Sequence, residues 1–109
     1  MKLNKETRLR VFGEMVRQAR LPAPVAEFPF AKGIGRKWRM DFCWVEQKVG
    51  LEVDGGIWHS GRHTRGAGWL KDSEKLNQAA VMGYRMLRCT PDQLTDPQLI
   101  TTIREALNG

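Results

Sequence analysis

WRMDFCWVEQKVGLEVD, from Trp38 to Asp54, is the stretch from which the architecture can be built. Its first half repeats every two residues. Trp38, Met40, Phe42 and Trp44 point one way, and Arg39, Asp41 and Cys43 the other. Glu46 to Lys48 make a turn. Val49, Leu51 and Val53 then share one face of a second strand, with Glu52 and Asp54 on its opposite face. The two runs read as a hairpin, which lets Asp41 lie across from the carboxylates of the second strand. Carboxylates in a strand are costly to bury alone. Asp41, Glu52 and Asp54 therefore call for a metal ion, a cation of the protein such as Arg39 or Lys48, or water.

Working outward, Gly55 and Gly56 end the second strand, and residues 59–68 (HSGRHTRGAG) form a basic glycine-containing loop. A helix follows over 69–82, with Leu76, Ala79, Ala80 and Gly83 as a small-residue face suited to packing on a sheet. A third strand covers 84–89. Asp96 caps a final helix over 97–107, with Pro97 at its first position and Leu99, Ile103, Ala106 and Leu107 on its inner face. Upstream, residues 5–20 read as a helix with an apolar stripe of Leu9, Phe12, Met15, Val16 and Ala19. Arg8, Arg10, Arg17 and Arg20 make its exposed surface basic, and Pro22 and Pro24 stop it. Val25 to Phe30 suit either a short edge strand or an ordered loop. Helix, hairpin, helix, strand and helix predict one α/β sandwich over residues 1–109, a mixed sheet flanked by helices with a parallel crossover before the third strand.

A chain of 109 residues has room for one modest domain. With 18 Lys plus Arg against 12 Asp plus Glu, the formal charge of +6 favours polyanionic partners. Cys43 and Cys89 each fall inside a predicted strand and read as buried thiols of a reducing compartment. No apolar run approaches membrane-spanning length, and no apolar core follows the N-terminal charges, so the expectation is a cytoplasmic protein with no membrane partner.

The carboxylates suggest chemistry. Phosphodiester hydrolysis needs an activated water and neutralisation of charge on the transferring group, and Mg²⁺ or Mn²⁺ supplies both through oxygen ligands. Asp41, Glu52 and Asp54, with the carbonyl of Val53, could provide them. The alternative is a wet hairpin face on which these groups pair with Arg39 or Lys48. His59 follows Asp54 by five residues and could take a proton from water; it could equally be a surface histidine. Arg39, Arg62, His63, Arg65, Lys71 and Lys75 are candidate DNA contacts, against the plainer reading of a solvated basic surface. Asp72 and Lys75, three apart on one helix, could simply pair. Glu14 is a distant further candidate for metal.

Asp41, a ten-residue gap and Glu52 resemble the acidic core of the PD-(D/E)XK, or restriction-endonuclease-like, nuclease superfamily. The closer likeness is to very short patch repair endonucleases and DUF559-type proteins. It is carried by the EVDG string from Glu52 to Gly55, the GGIWH string from Gly55 to His59, Asp72, Leu76 and GYRML from Gly83 to Leu87. The resemblance covers about half the chain, Trp38 to Thr90. It implies a small restriction-endonuclease-like sandwich and a metal-dependent DNA endonuclease, with Asp41 the principal metal ligand, Glu52 the second acidic member and His59 the general base. It also implies possible action on branched or damaged DNA, a possible homodimer, and an origin in a bacterial or phage-infected cell. One departure stands out: Asp54 occupies the place of the superfamily's usual lysine, for which His59, Lys75 and Lys48, in that order, are substitutes. Two strand cysteines cannot rebuild the repair enzymes' structural zinc site. Two other readings are a nuclease-derived DNA-binding module without turnover and a protein-interaction or inhibitor domain on the same fold.

Overall fold

A computed structural model describes residues 3–54 and 67–109, with residues 67–69 in backbone only. Helix α1 runs over Lys5–Gln18, capped by the Asn4 side chain, which accepts from the Thr7 N–H at 2.8 Å. It stops two residues before the expected end at residue 20. Arg20 turns left-handed (φ 59°), and the N–H groups of Arg20 and Leu21 donate back to the carbonyls of Arg17 and Val16. This hydrogen-bonded stop precedes the prolines. Strand β1 covers Val25–Phe28, which resolves the choice at 25–30 in favour of a strand.

Strands β2 (Met40–Trp44) and β3 (Val49–Val53) form the hairpin, and β1 pairs antiparallel with β2. Helix α2 (Ala67–Val81) crosses over to β4 (Arg85–Cys89), which lies parallel to β3. The sheet order is β1-β2-β3-β4, and helix α3 (Pro97–Asn108) closes the chain. The fold is the expected α/β type, a mixed four-stranded sheet flanked by helices. Asp96 accepts from the Gln98 N–H at 2.9 Å, with Pro97 at the start of α3.

One sheet face carries Trp44, Val49, Leu51 and Cys89, packed on Phe12 and Val16 of α1, Leu94 of the 3-10 turn Asp92–Thr95, and Leu99, Ile100 and Ile103 of α3. The other carries Met40 and Cys43, packed on Ala79 of α2 and on Phe30 and Ala31. The strict alternation expected for β2 therefore fails. Met40 joins Cys43 rather than Phe42 and Trp44. Two causes are visible: β2 is internal and buried on both faces, and its pairing is broken at Asp41. The ladders pair Phe42 with Ala26 and Leu51, and Met40 with Phe28, but skip Asp41 on both sides. Opposite the gap, Glu27 is left-handed (φ 53°).

Two helix faces also differ from expectation. Leu9 of α1 is 39% exposed rather than in the core. In α2 only Ala79 of the small-residue set is fully buried; Ala80 lies a hundred degrees round the helix and is exposed. Gly83, with φ 90°, ends the helix instead of packing it. No helix among the described residues is long and apolar enough to cross a membrane.

Candidate active site

The interrupted ladder frees the Asp41 carboxylate to replace a backbone acceptor. Its Oδ2 accepts from the Val53 N–H at 2.7 Å. This links the two hairpin strands where Glu52 sits, close enough for the Asp41 charge to act on the Glu52 carboxyl. Glu52 lies on the α2 face of β3 and is 6% exposed. From α2, Lys75 Nζ makes an ion pair with Glu52 Oε1. The approach is Coulombic rather than aligned, because Oε1 is a buried acceptor with no hydrogen-bond partner among the described residues.

Burial pushes the Glu52 carboxyl up to about 7. Lys75 works against that rise, and Asp41 adds to it. A divalent cation would remove the conflict between two adjacent carboxylates, and Mg²⁺ keeps several waters when held by one or two of them. Asp41 and Glu52, with the Val53 carbonyl as a further oxygen, therefore fit such an ion. Among the described residues, no three His, Cys, Asp or Glu side chains gather in metal-binding geometry.

Asp54, expected beside Glu52 as a ligand, turns to Arg88 of β4, whose Nε donates to its Oδ2 at 2.5 Å. Arg88 also donates to Asp72 Oδ2 at 2.8 Å, joining the end of β3 to α2. Burial opposes the Arg88 charge, but hydrogen bonds and charge from Asp54 and Asp72 outweigh it and hold its pKa above the ordinary value. Asp72 and Lys75 thus do not pair with each other; α2 rests on strands of the opposite charge pattern, and each residue finds a partner below it. Among the described residues, these carboxylates do not pair with Arg39 or Lys48 either. Arg39 lies 3.9 Å from Glu27, and Lys48 Nζ donates to the Met82 carbonyl at 2.8 Å, at the turn end of β3. Lys48 is four residues from Glu52 along an extended strand, about 13 Å, too far to take the missing lysine's place. Glu14 pairs with Arg17 on the exposed surface of α1. Lys71 is exposed on α2. His59, Arg62, His63 and Arg65 lie outside the described residues, as does nearly all of the loop expected at 59–68.

Arg88 had no role in the sequence reading, although a signal was there. Leu87 and Cys89 pack toward α1 and α3, so Arg88 must face α2 with Met86. A charge beneath a helix demands a counter-charge. The thiols of Cys43 and Cys89 are free and buried, and burial raises both to about 11; the Asp54 and Asp41 charges add to the effect at Cys89.

With this geometry in hand, the fold matches the catalytic domain of the homing endonuclease I-Bth0305I. The match covers 97% of this chain and 94% of that one, with a TM-score of 0.59 and 21% sequence identity. The likeness is one of fold, and the architecture is endonuclease-like. Two uncharacterized proteins of Mycobacterium tuberculosis, from strains CDC 1551 / Oshkosh and ATCC 25618 / H37Rv, are each 26% identical over 74 residues, 68% of this chain. The matched segment is 26% of their length, so the chain spans about a quarter of these relatives. No family model matches the chain.

Proposed function

We propose that the chain is a divalent-metal-dependent DNA endonuclease domain of the PD-(D/E)XK type, related to very short patch repair and DUF559-type proteins. The observation that carries this reading is the meeting of Asp41, Glu52 and Lys75 at one end of the hairpin, in an endonuclease-like fold. Asp41 and Glu52, with the Val53 carbonyl, are the residues to hold Mg²⁺ or Mn²⁺. When bound, the ion supplies charge neutralisation at the phosphate and a more acidic water. Lys75 takes the part of the lysine displaced by Asp54, because its ammonium already lies against Glu52, where it would add positive charge beside a bound phosphate. His59 is the proton acceptor. Asp54, held by Arg88, acts on position rather than as a ligand.

A DNA-binding module without turnover is the second reading, favoured by the tie between Asp54 and Arg88. One experiment separates the two. Plasmid, flap and four-way-junction DNA are incubated with Mg²⁺, Mn²⁺ or EDTA. The nuclease reading expects cleavage with either metal, reduced about a hundredfold or more in Asp41→Ala, Glu52→Ala and Lys75→Met, while binding persists. Equal cutting by parent and variants, or none by the parent, removes it.

A further inference from the structure

A cleft of about 500 Å³ opens on the α1 side of the sheet, with Asp41 in its wall. Leu9, Phe42, Val53, Pro91 and Leu94 make it mostly apolar. Leu9, set in the apolar stripe by its spacing, is exposed here, and the half-buried Phe42 ring packs against Phe12 with centroids 4.9 Å apart. This is an apolar surface that nothing else in the fold covers among the described residues. Its polar groups are unevenly placed. Lys5 is exposed at the start of α1, Arg8 is tied to Asp92 at 2.7 Å, and Glu27 and Asp41 line the strand side. A phosphate would be repelled by these two carboxylates, whereas the N–H edge of a nucleobase would find acceptors there.

We propose that this cleft binds one unpaired nucleotide of a DNA strand. The base lies among Leu9, Phe42 and Leu94, and the backbone runs outside past Lys5. A base inside a duplex is stacked and paired and cannot reach such walls; one in a single strand or flap can. The pocket deepens the nuclease reading and rests on it for its substrate, since Asp41 belongs to both the cleft and the proposed ion site. It assigns α1 and the 3-10 turn a part in substrate choice.

The test is run in EDTA, so that no cutting occurs. Anisotropy of labelled oligothymidine dodecamer is compared with that of a 12-base-pair duplex for the parent, Ala26→Trp, which fills the cleft from the exposed edge strand, and Leu9→Glu. The parent should bind the single strand more tightly. Both variants should lose about tenfold in single-strand affinity and stay within about twofold on duplex. Both positions are exposed, so the urea midpoints should match the parent's; Leu9→Gln, which changes no charge, replaces any variant that fails this check and is judged by the same ratio. A parent that binds duplex as tightly as single strand, or variants that bind single strand like the parent, overturn the pocket. Plasmid cleavage in Mg²⁺ keeps the two ideas apart. Cleavage alongside unaltered single-strand binding by Ala26→Trp sinks the pocket alone. Selective, variant-sensitive single-strand binding by a parent that cuts nothing sinks the nuclease alone.

Discussion

Glu52 is a buried acid whose proton is held to about pH 7, against an ordinary value of 4.5, and that fixes a sign. Between these values the folded protein keeps a proton that the unfolded chain has released, so stability falls as pH rises from about 4.5 to 7 and is flat above. The full effect is about 3 kcal/mol. Glu52→Gln should therefore match the parent near pH 4.5 and exceed it by up to about 3 kcal/mol at pH 8, as measured by urea unfolding in EDTA. A pH-independent difference would show that the Lys75 pair fully offsets burial. The same proton competes with a cation, so Mg²⁺ should raise the unfolding midpoint more at pH 8 than at pH 6. At Trp44, whose Nε1 donates to the Pro22 carbonyl at 2.7 Å, substitution by Phe should cost about 1–3 kcal/mol by the same measurement.

At the level of elements, Arg88 fastens α2 to β3 through Asp72 and Asp54. Its side chain is 43% exposed, so the pair energies are screened and Arg88→Ala should lower global stability by no more than about 1 kcal/mol. Locally the effect should be larger: amide exchange at residues 70–76 should quicken while β2 and β3 stay protected. Arg88→Lys should not restore the parent, because one ammonium cannot span two carboxylates as a planar guanidinium does. The elements show what can be read from sequence. Alternation and the EQK turn exposed β2 and β3, and the Asp96–Pro97 pair marked the start of α3, because these signals act over a few neighbours. The left-handed Glu27, the missing pairs at Asp41 and the joining of Lys75 to Glu52 depend on strands and helices meeting across 11 to 23 residues of sequence. No local pattern encodes them. Leu9 was misplaced for a related reason: periodicity identifies a helix stripe but not where the opposing layer ends.

For the whole molecule, the charge of +6 would make the proposed DNA binding a matter of counterions. Log affinity should fall linearly with log salt by about 0.9 per phosphate contacted, and Arg39→Ala or Lys71→Ala should each reduce that slope by about 1. A salt-insensitive affinity would remove DNA as the partner. The sheet has a further consequence at this scale, through the gap in pairing around Asp41. Its carboxylate does in part what a backbone carbonyl does elsewhere, and the neighbouring strand is bent to allow it. An engineer who grafts the acidic pair onto a regular four-stranded scaffold would transplant the chemistry without its hinge. The aspartate would be locked in an unbroken ladder, facing one side only. The portable unit is three strands wide and includes the left-handed Glu27 opposite the gap.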